Sequence, residues 1–238
     1  MKVSQWWAAS CRRLRCSLFP SRCRLCLGPG QPGLDLCRPC CAELPWLCQA
    51  CPRCALPLPE DAADTLCAHC QKCPPVLDGC RALFRYRAPV DRWIQDLKFH
   101  QDLSAARLFG TLLAQDPTLP PPSASLALLP VPLHAKRLAQ RGYNQALEIA
   151  RPLKRAGYHV DARCCRRSRH TDAQSALSAA KRKGNVWGAF SVPVPIQGRH
   201  FLLIDDVLTT GATLNELAHT LRRAGAESVT AWVLARAV

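Results

Sequence analysis

FLLIDDVLTTGATLNE, residues 201–216, is the stretch that decides the fold. Phe201, Leu202, Leu203 and Ile204 make a short β-prone apolar run, the pattern of a strand buried on both faces of a parallel sheet. The apolar character stops at Asp205 and Asp206, which are expected where the strand ends, and the carboxyl edge of an open α/β sheet is where ligands bind. Thr209, Thr210, Gly211, Ala212 and Thr213 lack bulk. Their backbone N–H groups can therefore wrap a phosphate at the start of the next helix, where the helix dipole also favours negative charge. That helix is expected over about residues 214–224, stopped by Gly225, with SVTAWVLA as the following strand. Paired carboxylates can accept hydrogen bonds from two neighbouring sugar hydroxyls, and threonine hydroxyls can add donors to a phosphate.

A second buried strand is expected at residues 126–131, followed by PLHAKRLAQRGYNQALEIA. Lys136, Arg137 and Arg141 gather there in an expected loop before a helix opening near Asn144, a suitable cradle for pyrophosphate because arginine offers a planar fork of donors. Pro152 lies within that helix, where it removes a hydrogen bond and should kink or shorten it. Residues 169–190, RHTDAQSALSAAKRKGNVWGAF, are small and basic and read as a mobile lid. Upstream, residues 82–88 alternate like a strand, and residues 91–113 show helical spacing.

The 201–216 stretch resembles the signature by which type I phosphoribosyltransferases bind phosphoribosyl pyrophosphate (PRPP). In order along the chain stand Leu97-Lys98-Phe99, VPLH at 131–134, RGYNQA at 141–146, then Thr171, Gln174, Leu177, Arg182 and Asn185 ahead of GAF, and DDVLTTGAT at 205–213. This ordered set resembles the competence protein F (ComF) family across nearly all the chain after Ser21. The resemblance implies an α/β fold, a Rossmann-like parallel sheet of the type I phosphoribosyltransferase kind, behind a small four-cysteine zinc-ribbon domain. It implies a PRPP-binding stretch of Asp205, Asp206, Val207, Thr209, Thr210, Gly211, Ala212 and Thr213. It also implies a pyrophosphate loop and lid of Arg137, Arg141, Asn144, Gln145, Arg169, Thr171, Gln174, Arg182 and Asn185. In an enzyme reading, Asp205, Asp206, Arg137 and Arg141 are catalytic and Mg²⁺ accompanies PRPP. The family's tie to natural transformation implies DNA uptake or nucleotide salvage, single-stranded DNA and competence-machinery proteins as partners, and a cytoplasmic location. The alternative is a non-catalytic module that senses PRPP or holds single-stranded DNA.

The amino-terminal third carries a separate signal, four CxxC pairs: Cys23/Cys26, Cys37/Cys40, Cys51/Cys54 and Cys67/Cys70. Two residues between cysteines allow one tight turn to present both thiolates to one ion, and two such turns close a tetrahedral site. Chain order groups Cys23, Cys26, Cys37 and Cys40 on one Zn²⁺, and Cys51, Cys54, Cys67 and Cys70 on another. Disulfides would need an oxidising compartment, and a redox pair would need a CxxC opening a helix in a βαβ unit. Of the eight remaining cysteines, Cys41 and Cys73, together with His69, are near enough in sequence to substitute as ligands.

The expected organisation is a basic disordered arm over 1–20, a double zinc ribbon over 21–78 and a phosphoribosyltransferase-like domain over 79–238. No run approaches the ~20 apolar residues that cross a bilayer, so no membrane insertion is expected. The net charge of +15 is uneven: residues 130–190 hold 13 Lys and Arg against 3 Asp and Glu, whereas residues 191–238 balance. RRSR at 166–169 and KRK at 181–183 exceed what one small polyanion requires and suggest a nucleic-acid surface.

Overall fold

In the computed structural model, residues 20–62, 65–169 and 187–238 are described. The amino-terminal arm and most of the expected lid, with Thr171, Gln174, Arg182 and Asn185, lie outside them. Helix α1 is Arg38–Ala42 and α2 is Ala68–Lys72, each opening on a cysteine N-cap. The α/β part follows as β1 Gly79–Arg85, α3 Val90–Phe99, α4 Leu103–Ala114, β2 Leu126–Pro130, α5 Ala135–Arg141, α6 Gln145–Arg155, β3 His159–Val160, β4 Arg166–Arg167, β5 Phe190–Ser191, β6 His200–Leu208, α7 Ala212–Arg223 and β7 Ser228–Arg236.

Five strands form a sheet in the order β1-β7-β6-β2-β3, parallel throughout, and β4 and β5 pair as a small antiparallel ribbon. Phe201, Leu202, Leu203 and Ile204 are each fully buried, because helices cover both faces. Phe201 and Leu203 cluster with Leu214, Leu217, Ala218 and Leu221 of α7. Successive strand residues point to opposite faces, so Leu202 and Ile204 serve the other layer, where α6 packs on β6 and α4 packs on α6.

Two local expectations need correction. The helical pattern of 91–113 is two helices, broken where Gln101 takes φ 56° and Asp102 caps α4 by accepting from the Ser104 and Ala105 amides. Lys136, Arg137 and Arg141 stand on α5, which Gly142 ends at φ 82°, and not on a loop. Pro152 lies inside α6, which ends three residues later at Arg155. Gly110 of α4 meets α6 beside this proline: a Cβ there would fall 2.2 Å from the Ile149 carbonyl and 2.7 Å from Pro152 Cγ. Gly110→Ala should therefore destabilise the domain by about 1–3 kcal/mol, the usual cost of overpacking, measured by urea denaturation.

The chain divides into two compact units, with the boundary between Leu44 and Pro45. The second four-cysteine group thus shares a unit with the sheet, whereas a boundary at 78/79 was expected. The reason is hydrogen bonding. Leu47 N–H donates to the Leu83 carbonyl, Arg85 N–H to Pro45 and Cys80 N–H to Pro52, each at 2.8 Å, and Trp46 packs on Phe84 with ring centroids 4.6 Å apart. Among the described residues, no helix is long and apolar enough to cross a membrane.

Candidate functional site at the carboxyl edge

Asp205 and Asp206 do not mark the end of their strand. β6 runs to Leu208 and stays paired with β7 as far as Leu208 opposite Arg236, while β2 leaves it at Ile204. The acids therefore occupy a stretch of β6 held on one side and open on the other. Being consecutive in a strand, they face opposite ways, and their surroundings differ accordingly. Asp206 is 4% exposed, and its Oδ1 lies 2.9 Å from Lys98 Nζ at the end of α3, while its Oδ2 is buried with no hydrogen-bond partner among the described residues. Asp205 keeps partial solvent access, and its Oδ1 accepts the Asp206 N–H at 2.9 Å. Enclosure by protein, and then the charge of Asp206, push its pKa up to about 7 against the pull of Lys98 and Arg167.

Arg167 belongs to this site, although the charge run had suggested a nucleic-acid face for it. β4 bridges His134 through Arg167, and the guanidinium lies over the Phe190 ring, 5.6 Å from its centroid. Burial and then the charge of Arg137 hold its pKa below the ordinary arginine value, with Asp205 opposing. The charges of Arg137 on α5 and Asp205 on β6 thus both act on Arg167 of β4. Arg166 and Arg169 remain exposed, and Arg169 donates to the Trp187 carbonyl at 3.3 Å.

The RGYNQA segment is locally self-consistent. Asn144 caps α6 by accepting the Ala146 N–H at 2.9 Å and donates from Nδ2 to the Val131 carbonyl at 3.0 Å. Arg141 Nη1 donates to Oε1 of the buried Gln145 at 2.5 Å, so Arg141 is committed within its own segment. The Tyr143 hydroxyl donates to the Leu97 carbonyl, tying this segment to the one that carries Lys98.

Past β6 the chain turns at Gly211, with φ 77° and ψ 0°, into α7. That left-handed turn favours glycine and leaves the backbone of Thr210, Gly211 and Ala212 at the helix start. Arg236 braces it from β7, donating from Nη1 to the Leu208 carbonyl at 3.1 Å and the Thr209 carbonyl at 2.5 Å, and from Nε to the Cys54 carbonyl at 3.2 Å. A cavity of about 390 Å³ opens beside the turn, lined by Cys54, His69, Cys70, Trp187, Glu216 and His219 among others. It touches the turn but not the two carboxylates.

The eight paired cysteines form two groups in the combinations expected, with each group's four sulfurs within 4.8 Å of one another. Neighbouring sulfurs are 3.8 Å apart in the first group and 3.6 Å in the second. Zn–S bonds of about 2.3 Å in a tetrahedron give S···S edges of about 3.8 Å, so both groups are compatible with structural zinc. The local geometry repeats: Leu27 and Ala55, each just after its CxxC, have φ 62° and 52°, and the Cys23 and Cys51 amides donate to the Gly28 and Leu56 carbonyls at 2.8 Å. At Cys51 burial opposes ionisation, but hydrogen bonds from the Cys67, Arg53 and Cys54 amides outweigh it and hold the thiol at about 7.

A model of the "Phosphoribosyl transferase domain" matches residues 165–237, the span holding Arg167, the acid pair, the Gly211 turn and Arg236. Over 223 residues the chain is 33% identical to the DNA utilization protein YhgH of Salmonella typhimurium, covering 91% of this chain and 97% of that one. It is 35% identical over 182 residues to competence protein F of Haemophilus influenzae, covering 72% and 78% of the two chains. The chain belongs to the ComF family. A further ComF relative, competence protein ComFC of Streptococcus pneumoniae, is 29% identical over 160 residues, covering 66% and 67%.

Within this ComF-family chain, sequence reasoning left three residues of the site without roles there. Lys98 stood in the LKF motif with no partner named, Arg167 was grouped with the exposed basic run, and Arg236 carried no signal. The LKF motif was the clue to the first, since a lysine flanked by apolar residues at a helix end is well placed to reach inward.

Proposed function

We propose that this carboxyl edge binds PRPP together with Mg²⁺ and transfers its phosphoribosyl group to an acceptor nitrogen. The observation that carries the reading is the asymmetric acid pair beyond the end of β2, followed directly by the Gly211 turn into α7, within the span that matches a phosphoribosyltransferase domain. Asp205 would accept ribose hydroxyls, the Thr209–Thr213 backbone and hydroxyls would hold the 5′-phosphate, and Arg137 and Arg167 would neutralise the pyrophosphate. Because the anomeric carbon becomes cation-like as pyrophosphate leaves, the chain's contribution would be positioning and charge stabilisation.

The residues fit a divalent ion that arrives with its substrate. The only groups of three or more metal-ligating side chains among the described residues are the two four-cysteine clusters, and Mg²⁺ commonly keeps waters and substrate phosphates as ligands. When bound, it would offset charge on the pyrophosphate oxygens. The four-cysteine groups would each hold one structural Zn²⁺. The relatives are named for DNA utilization and for competence; on that basis we infer DNA uptake as the setting, with single-stranded DNA and competence-machinery proteins as partners. Exposed Arg166 and Arg169 would serve a DNA contact better than Arg167.

Titration calorimetry with Mg²⁺ and PRPP tests the reading. Binding is expected to weaken at least tenfold in Arg167→Ala, as loss of charged hydrogen bonds worth about 1.5–3 kcal/mol each would require, and to persist in Arg166→Ala. No binding by the wild-type protein would overturn it. Equal effects of the two variants would return Arg167 to the exposed basic run.

A further inference from the structure

We propose that Lys98 is a positioning residue that divides the acid pair, holding Asp206 turned into the protein and leaving Asp205 as the carboxylate that meets the ligand. The proposal deepens the PRPP reading and rests on it for the ligand's identity. Its geometric basis is independent. Consecutive residues of a paired strand cannot present side chains to the same face, and here each face has its own cation. Lys98 reaches Asp206 Oδ1 at 2.9 Å, while Arg167 stands on the side of Asp205, over Phe190, whose ring joins the core cluster containing Leu203 and Leu214.

Lys98 is itself held. It lies in the last turn of α3, whose cap His100 donates its N–H to the Asp96 carbonyl, and the neighbouring Leu97 carbonyl accepts the Tyr143 hydroxyl. Asp206 is buried, and a buried carboxylate without a counter-charge is strongly disfavoured. Lys98 supplies that counter-charge and fixes Asp206 on the buried side of the strand. The charges acting on Asp205 are those of Asp206, Lys98 and Arg167, and those acting on Lys98 are Asp206, Asp205 and Tyr86.

The arrangement has a signature that a merely structural ion pair lacks. Asp205 accepts hydroxyls most strongly when ionised, so affinity for Mg²⁺–PRPP should fall as pH drops through about 7. Removing the positive charge in Lys98→Met should move that midpoint up by about one unit, the usual effect of a nearby charge, and Lys98→Arg should leave it near the wild-type value. Asp206→Asn removes the repelling neighbour and should move the midpoint down.

The experiment measures Mg²⁺–PRPP affinity on both sides of neutrality, and the titration of the Asp205 carboxyl by ¹³C NMR without ligand, in each variant. Should Lys98→Met alone fail to fold, the Lys98→Met/Asp206→Asn double variant removes both buried charges and should still shift the midpoint down. Opposite shifts in the two single variants, or the downward shift in the double one, support the proposal. A midpoint unmoved in every folded variant overturns it, as does Asp206→Asn losing PRPP while Asp205→Asn keeps it. If the wild-type protein binds no PRPP, the functional reading fails by itself, and the ligand-free titration still decides the role of Lys98.

Discussion

Serine at Cys51 and Cys54 should cost this protein its α/β domain as well as a metal site, whereas serine at Cys23 and Cys26 should leave that domain's melting unchanged. The second four-cysteine group is hydrogen-bonded to β1 through Leu47, Pro45 and Pro52, and Arg236 links the Cys54 carbonyl to the Gly211 turn. The first group belongs to the separate unit that ends at Leu44. Structural zinc contributes about 10–16 kcal/mol in small sites, against a net stability of about 5–15 kcal/mol for an ordinary domain. Losing the second ion can therefore consume the whole margin. Trp46 on Phe84, Trp93 near Phe109 and Trp232 under Arg81 report the melt by fluorescence, and metal analysis should find two ions per wild-type chain and one in each variant. A wild-type melt from the Cys51→Ser/Cys54→Ser protein would show that the sheet does not depend on that metal.

The second large effect is expected at Asp205, where binding and stability should move in opposite directions. Asp205→Asn should reduce PRPP affinity at least tenfold and yet raise Tm at pH 8. The sign follows from the folded pKa of about 7, above the ordinary value of 3.8. The fold holds this proton more tightly than the unfolded chain does, so stability falls as pH rises between those values and the full cost is present above about pH 7. Asparagine removes that cost, and each kcal/mol recovered in a domain of this size lifts Tm by about 2–4 °C. Calorimetric melts at pH 8 and pH 4 check it: the gain should be present at the first and largely absent at the second. A lower Tm at pH 8 would mean that the carboxylate is stabilising and that enclosure beside Asp206 does not raise its pKa.

What the sequence made legible is what local pattern determines. The apolar run of 201–204, the glycine turn at 211, the helix after it, expected over about 214–224 and found over 212–223, and the CxxC pairs each depend on residues within a few positions of one another. The division of the acid pair was not legible, because Lys98 meets Asp206 across more than a hundred positions and only tertiary packing sets that distance. Arg236 was silent for the same reason: an arginine at the end of an apolar strand looks like a solvated terminus until the carbonyls of Leu208, Thr209 and Cys54 are seen around it. The basic run at 166–169 misled at one position because charge composition says nothing about which way a two-residue strand turns its side chains. β6 outran its expected end because the pairing partner β7 continues to Arg236, and an acidic pair does not break a strand whose neighbour still supplies hydrogen bonds.

The segment from Pro45 to Pro52 also has a bearing on how the molecule behaves in company. β1 is the outermost strand on its side of the sheet, seven residues long and largely apolar, while the opposite border ends in the two-residue β3. A long uncovered border of this kind recruits strands from other chains. Here its outward carbonyls and amides at Leu83, Arg85 and Cys80 are occupied by the polypeptide leading into the second cysteine knuckle. An ion held there would keep a β-edge closed to self-association, and protein stripped of it would be expected to precipitate by sheet extension before the loss of any ligand affinity could be noticed.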